Sequence, residues 1–317
     1  LLPIFPSTEI TPVTLKVAFF VAAVLAIPFL LQAVRAVPRG NQPLSTGELQ
    51  QQPILHLLRS IPREIVNNKP FLIFVVPFLC GGFAVGMWFG LVYIYVDAYL
   101  GMGDQFAQMF LVAFIVGILV APLWYQIATR IGKKKSWVLV VILVLFSLLF
   151  TGTLDPGETS FSELLLVKIT QICGFVGSGI IVPAMLSEII DYGHWKDGTE
   201  KSATYFSIKV FLEKSASALG AGSALLIADW FGFGVTDNNF TAESIMGLKI
   251  AIAWVPSFFV VIALIFVVLT PIDERRHRII RARLDARLKR QARKDADKAH
   301  PSNSLNDNTH QAVGATQ

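Results

Sequence analysis

Residues 71–97 read FLIFVVPFLCGGFAVGMWFGLVYIYVD, without a charged side chain before Asp97. A helix rises about 1.5 Å per residue, so about 20 apolar residues cross a hydrocarbon layer about 30 Å thick. This run is long enough to span a membrane. Gly82, Gly86 and Gly90 recur at every fourth position, on one helical face, where missing side chains let a second helix approach closely. Working outward, six more runs share this character. The seven expected spans are 14–35, 71–97, 106–129, 136–153, 162–190, 203–230 and 247–270. Pro28, Pro77, Pro122 and Pro183 fall inside them, which membrane helices tolerate. The expected class is therefore all-α: a polytopic membrane protein with seven transmembrane helices.

Composition agrees. Of 317 residues, 54% are hydrophobic and 15% charged, with mean hydropathy +0.59. Soluble domains average about 45–50% apolar and about 25% charged residues. This excess, concentrated in long blocks, excludes a soluble enzyme, a disordered chain and a nucleic-acid-binding domain, and the net charge of +5 is dispersed over several loops and one tail. Cys80 and Cys173 lie inside apolar runs and offer no disulfide framework. The five histidines (His56, His194, His277, His300 and His310) lie outside the spans and do not cluster, so no metal site is expected. Neither a Walker-type phosphate loop nor a nucleophile elbow is present. No enzymatic chemistry and no cofactor are expected. The chain begins at Leu1 with no charged n-region before its first apolar run, which argues against a signal peptide and for a start within a longer protein.

Basic residues orient the chain. Of 27 lysines and arginines, 22 lie in segments 35–69, 130–135 and 191–202 and in the tail from Pro271. Segments 1–13, 98–105, 154–161 and 231–246 contain none. By the positive-inside rule, the N-terminus of this chain is expected outside and the tail in the cytoplasm. The expected organisation is residues 1–35 as the last helix of one bundle and 36–69 as a cytoplasmic linker. A six-helix bundle over 70–271 and a basic, partly disordered tail over 272–317 follow. Within the linker, Ile54, Leu55, Leu57, Leu58 and Ile61 have the spacing of a surface helix. Arginine-rich residues 273–298 suggest a basic juxtamembrane helix, attracted to anionic lipid or simply solvated.

Span 203–230 carries Lys209, Glu213 and Lys214. Lysine deep in a membrane is costly unless paired or wet, which makes Lys214 a functional candidate. Lys209 and Glu213 are four apart and share a helical face. Either a working cation site or a structural ion cluster accounts for the three. Span 162–190 contains Gly174, Gly177, Gly179 and Pro183, which suit either a loosened cavity wall or tight packing. At its end Glu188 and Asp191 face one side, followed by Tyr192, Gly193, Trp195 and Lys196. This is either a salt-bridged gate or a solvated helix end. Trp88, Tyr93 and Tyr95 follow the glycine stripe, and Tyr93, Tyr95 and Asp97 suit an outer vestibule or a belt of interfacial aromatics.

Two motifs resemble a known family. Thr129-Arg130-Ile131-Gly132-Lys133-Lys134-Lys135 resembles the short basic loop of the major facilitator superfamily, with Thr129 in place of its Asp and Tyr125 in place of its Gly. More specific is Glu188-Ile189-Ile190-Asp191-Tyr192-Gly193-His194-Trp195-Lys196, followed by Phe211-Leu212-Glu213-Lys214-Ser215-Ala216. It resembles the glycoside–pentoside–hexuronide:cation symporters, the melibiose-carrier group, as does Asn68-Lys69-Pro70-Phe71. The resemblance covers about residues 60–270.

It implies helices 6–12 of a twelve-helix major facilitator fold and cation-coupled symport of a sugar, glycoside or uronide by alternating access. Lys214, with Glu213 and Lys209, would couple solute to Na⁺ or H⁺. Glu188 and Asp191, with Tyr192 and Lys196, would form a cytoplasmic gate. Trp88, Tyr93 and Gly179 would line the cavity. The family's tryptophan against the sugar is Gly179 here, one of its acids is His194, and a hydroxyl residue near the pocket is Val210, all of which argue against melibiose itself. The implied partners are a small solute, a coupling cation, membrane lipid and the missing N-terminal bundle, with no nucleic acid. The implied location is a multi-pass position in a plasma or bacterial inner membrane. The alternatives are a carrier of another organic or lipid-type solute, or a non-transporting half-carrier needing a partner. A seven-helix receptor or retinal protein fits poorly, since the last span lacks Asn-Pro-x-x-Tyr and Lys249 lies at its edge.

Overall fold

The computed structural model describes residues 12–36, 68–197, 202–233 and 240–271, together with Ala286. The expected surface helix near 54–61 and the basic helix over 273–298 lie outside the described residues, apart from Ala286. The chain divides into two units, residues 1–58 and 59–317. In the first, α1 (Pro12–Ala36) runs helically through the first expected span and keeps Pro28 inside it. Phe19, Phe20, Leu30 and Val34 are exposed along it.

The second unit holds α2 (Lys69–Ile94), continued by a π-helical turn (Tyr95–Tyr99), then α3 (Gly103–Ile131), α4 (Lys133–Thr151), α5 (Phe161–Asp197) and α6 (Ser202–Trp230). α7 (Ala242–Lys249) passes through a second π-helical turn (Ile250–Trp254) into α8 (Val255–Leu269). Among the described residues, six helical stretches are long and apolar enough to cross a membrane, and all six belong to this unit. Of the seven expected spans, the first is matched by a helix whose qualifying apolar stretch is shorter, Ala26–Ala36.

Local chemistry sets the helix ends. Asn68 caps α2, its Oδ1 accepting the Phe71 N–H at 3.2 Å, and Pro70 occupies the first turn, where no N–H is needed. Thr241 caps α7 through the Ser244 N–H at 3.2 Å. The basic segment 130–135 is barely a loop. α3 and α4 are joined by Gly132 alone, at φ +91°, a conformation that other residues rarely adopt. α5 is unbroken over 37 residues, through both the glycine-rich stretch and Asp191-Tyr192-Gly193.

The glycines are packing residues. A methyl group built on Gly82 would stand 2.9 Å from the Glu213 backbone oxygen, and one on Gly90 would stand 3.2 Å from Ala221 Cα. On Gly86 it would overlap the Ser217 backbone, and on Gly220 the Phe83 backbone. α2 and α6 thus meet backbone to backbone. On α5, Gly174 faces Val144, and Gly177 faces Val140 and Trp124, so these two serve tight packing rather than a loosened wall. α2 is the most interior helix, with Phe71, Phe74, Met87 and Leu91 fully buried. α3 and α6 turn Phe114, Leu119, Phe211 and Leu226 outward, as suits surfaces covered by lipid or by another bundle.

Gly86→Val should destabilise the detergent-solubilised protein by about 1–3 kcal/mol, the usual cost of overpacking a close contact. Gly222→Ala, where an added methyl would meet nothing within 4 Å, should leave stability unchanged or slightly raised. Equal thermal unfolding of the two variants would contradict the backbone contact.

Candidate functional site

A cavity of ≈ 300 Å³ opens between α2, α4, α5, α6 and α8. Most of its wall is apolar: Phe78 from α2, Trp137 and Val141 from α4, and Phe175 and Val182 from α5. Its polar part is Gln171 and Ser178 from α5 and Lys209, Glu213, Lys214 and Ser217 from α6. The α2–α6 contact creates this arrangement, because the backbone of Glu213 and Ser217 that abuts Gly82 and Gly86 also brings their side chains to the cavity edge.

Lys209 and Glu213 form an ion pair one helical turn apart. The Lys209 ammonium also lies 5.2 Å from the centre of the Phe78 ring, where the negative ring face favours a cation. Lys214, one residue on, lines the same cavity, is exposed, and makes no ion pair with a described residue. Trp88 lines the cavity and is itself buried. Two other candidates lie elsewhere. Tyr93 is half exposed and packs edge-on against Phe106, centroids 5.2 Å apart, outside the cavity lining. Gly179 is exposed beside Ser178, with no atom near enough to meet an added methyl. Tyr95 does not face a vestibule. It is buried, and its hydroxyl donates to the Thr151 carbonyl at 2.7 Å and to that of Leu154 at 3.3 Å.

The Asp-Tyr-Gly end of α5 is a knot of polar contacts. Glu188 is buried and pairs with Lys133 at the start of α4, so the two family-like motifs meet in space. Lys134 donates to the Thr270 carbonyl at 2.9 Å. Asn68 Nδ2 donates to the Tyr205 hydroxyl at 3.2 Å and to the Ile189 carbonyl at 3.5 Å. A methyl on Gly193 would come within 3.1 Å of both Asn68 Nδ2 and the Tyr205 hydroxyl, which explains glycine there. Tyr192 stacks obliquely with Trp195, centroids 6.1 Å apart, and Asp191 and Lys196 follow the same helical end.

At the opposite end, Lys249 donates to Asp155 Oδ1 at 2.6 Å and the Tyr99 hydroxyl donates to the same oxygen at 2.7 Å. This latch joins the π-helical turn after α2, the α4–α5 connection and α7. The hydrogen bond from Lys249, and then that from Tyr99, hold the Asp155 carboxyl below its ordinary pKa.

Sequence reasoning missed two residues. Lys168, in α5, is buried, with its ammonium 3.9 Å from the Trp88 ring centre and 3.8 Å from that of Phe110. It donates to Gln171 Oε1 at 3.3 Å. A lysine inside an apolar run was the signal available for it. Nothing in the sequence marked Gln171. Among the described residues, no group of three or more His, Cys, Asp or Glu side chains is placed to hold a metal ion.

Residues 1–274 match a family described as MFS/sugar transport protein. The human sodium-dependent lysophosphatidylcholine symporter 1 is 23% identical over 272 residues, which are 84% of this chain and 48% of that protein. The glucuronide carrier protein homolog of Escherichia coli is 24% identical over 234 residues, 72% of this chain and 49% of that protein. The isoprimeverose transporter of Lactiplantibacillus pentosus is 24% identical over 154 residues, 46% and 31% respectively. The chain spans about half the length, or less, of the curated relatives it matches.

The Asp155 latch has a defined pH dependence. A carboxyl whose folded pKa is depressed contributes stability above its unfolded value, about 3.9, and loses it as pH falls through the folded value. Asp155→Asn should therefore lower the unfolding temperature between pH 5 and 7, by a small amount because the carboxylate is half exposed. The difference from the parent protein should shrink only below about pH 4. A difference that persists undiminished at pH 3 would show that Lys249 and Tyr99 are not what Asp155 contributes.

Proposed function

Because the chain belongs to the MFS/sugar transport protein family, we propose that it is the C-terminal part of a secondary active transporter that carries a sugar, glycoside or uronide together with Na⁺ or H⁺. The observation that carries this reading is the polar row Lys209, Glu213 and Lys214 along a membrane-embedded cavity. Charges at that depth are retained where they face a solute path or each other. Lys214 and a bound cation repel one another, so loading and release of the cation change the electrostatic cost of keeping Lys214 charged beside the solute. Glu213, held by Lys209, keeps α6 in register with the cavity.

The remaining bundle supplies the opposite wall, and the two alternate in access about the cavity. By the positive-inside rule, the basic connections support a cytoplasmic Lys133–Glu188 end and an outer Asp155–Lys249 end. In that orientation the N-terminus of this chain is outside, the tail is cytoplasmic, and the protein resides in a plasma or bacterial inner membrane. Glu188, Asp191, Tyr192 and Lys196 then sit where a cytoplasmic gate closes. A second reading, a lipid-type or other amphiphilic solute, is favoured by the apolar wall of Phe78, Trp137, Val141 and Phe175. It is also favoured by the similarity to a lysophosphatidylcholine symporter.

In the full-length carrier, Lys214→Cys should abolish solute uptake driven by a Na⁺ or H⁺ gradient while leaving expression intact. Uptake in proteoliposomes checks this. Normal gradient-driven uptake by the variant would remove Lys214 from the mechanism.

A further inference from the structure

Lys168 is a buried lysine with no counter-ion among the described residues. Its ammonium lies between the faces of Trp88 and Phe110, with the Phe89 ring centre 6.0 Å away, and no described carboxylate pairs with it. A small space of about 20 Å³ beside it, room for about one water, is bordered by Tyr95 and Thr151. Their hydroxyls donate to the backbone carbonyls of Thr151 and Ser147. Among the described residues, the one side-chain acceptor that meets the ammonium is Gln171 Oε1.

That contact fixes the amide. In the structure the oxygen of Gln171 accepts from Lys168, which leaves its NH₂ directed away from the lysine. Gln171 is 1% exposed and lines the main cavity, and its NH₂ has no partner among the described residues. The cavity therefore meets an oriented donor pair with a buried positive charge directly behind it. Among the described lining residues the one carboxylate, Glu213, is engaged by Lys209, and Lys214 adds a further basic group.

We propose that Gln171, oriented and polarised by Lys168, is a subsite for an anionic oxygen group of the solute at the Trp88 end of the cavity. Gln171 is the binding residue. Lys168 is a positioning residue that acts through it and leaves the neutral hydroxyls of a plain sugar less favoured than a carboxylate or phosphate. This rests on the cavity being the solute site.

The test is binding to the purified full-length carrier of three probes that share one aglycone: 4-nitrophenyl β-D-glucuronide, the neutral 4-nitrophenyl β-D-glucoside, and the glucoside 6-phosphate. The carrier should bind one anionic probe roughly tenfold or more tightly than the neutral one, and which one identifies the group. Lys168→Met and Gln171→Glu should each collapse that ratio, and Lys168→Arg should retain it. A merely structural lysine would shift all three affinities together. Equal affinities in the parent carrier, or an undiminished ratio in Gln171→Glu and Lys168→Met, would overturn the subsite. Binding of none of the three would overturn it as well. Cation-driven uptake of the neutral glucoside alone would leave the proposed function standing while removing the subsite.

Discussion

The approach of α2 to α6 constrains everything else in the bundle. Gly82, Gly86 and Gly90 on one helix, and Gly220 on the other, let backbone touch backbone, and a methyl group at Gly86 or Gly220 would collide with main-chain atoms that cannot yield. In hydrocarbon, apolar side chains gain little by leaving lipid for protein, so close van der Waals contact of this kind carries much of helix association. The same contact fixes the rotation of α6. With Glu213 and Ser217 abutting the glycine stripe, Lys209, Glu213 and Lys214 are carried to the cavity edge.

Charge in a low-dielectric medium is the second constraint, and the bundle meets it in three ways. Lys209 and Glu213 neutralise each other across one helical turn. Lys168 is surrounded by ring faces and an amide oxygen, a cheaper shelter for an ammonium than bare hydrocarbon but one that leaves its charge uncancelled. Lys214 faces open space at the cavity edge. A structural ion cluster would bring all three α6 charges together, whereas here one pair is closed and one lysine is left toward the cavity.

Much of this was legible in the sequence, because membrane helices are written in long runs and glycine spacing. Six of the spans appear where hydropathy places them, and the 82–86–90 stripe is the packing face that its four-residue spacing implies. The Lys209–Glu213 pair follows from i,i+4 geometry. Less legible were features that depend on partners distant in the chain. Segment 191–197 is helix rather than connection, because Gly193 is needed small against Asn68 and Tyr205, not flexible. Tyr95 sits in a π-helical turn, which rotates it inward to the backbone of Thr151, and no local pattern signals that. Asp155 and Lys249 are 94 positions apart, and neither alone marks a latch. Lys168 was visible as a charge, but its aromatic shelter comes from two other helices.

The two ends of the bundle bear on how far the cavity between them can open from within. At one end Lys133 and Glu188, Lys134 and Thr270, and Asn68 with Ile189 and Tyr205 tie five helices together. At the other, Lys249, Asp155 and Tyr99 join the π-helical turn, the α4–α5 connection and α7, and Tyr95 adds a tie to Thr151. Opening the cavity from within would break one of these clusters and expose polar groups at the margin of the apolar layer, each costing about 1–3 kcal/mol if left unsatisfied. Moving the bundle as a body costs none of them. The six helices are thus built as a rigid wall. Under the transport reading proposed above, the motion that changes access would then fall outside these ties, at the surfaces of this wall rather than within it.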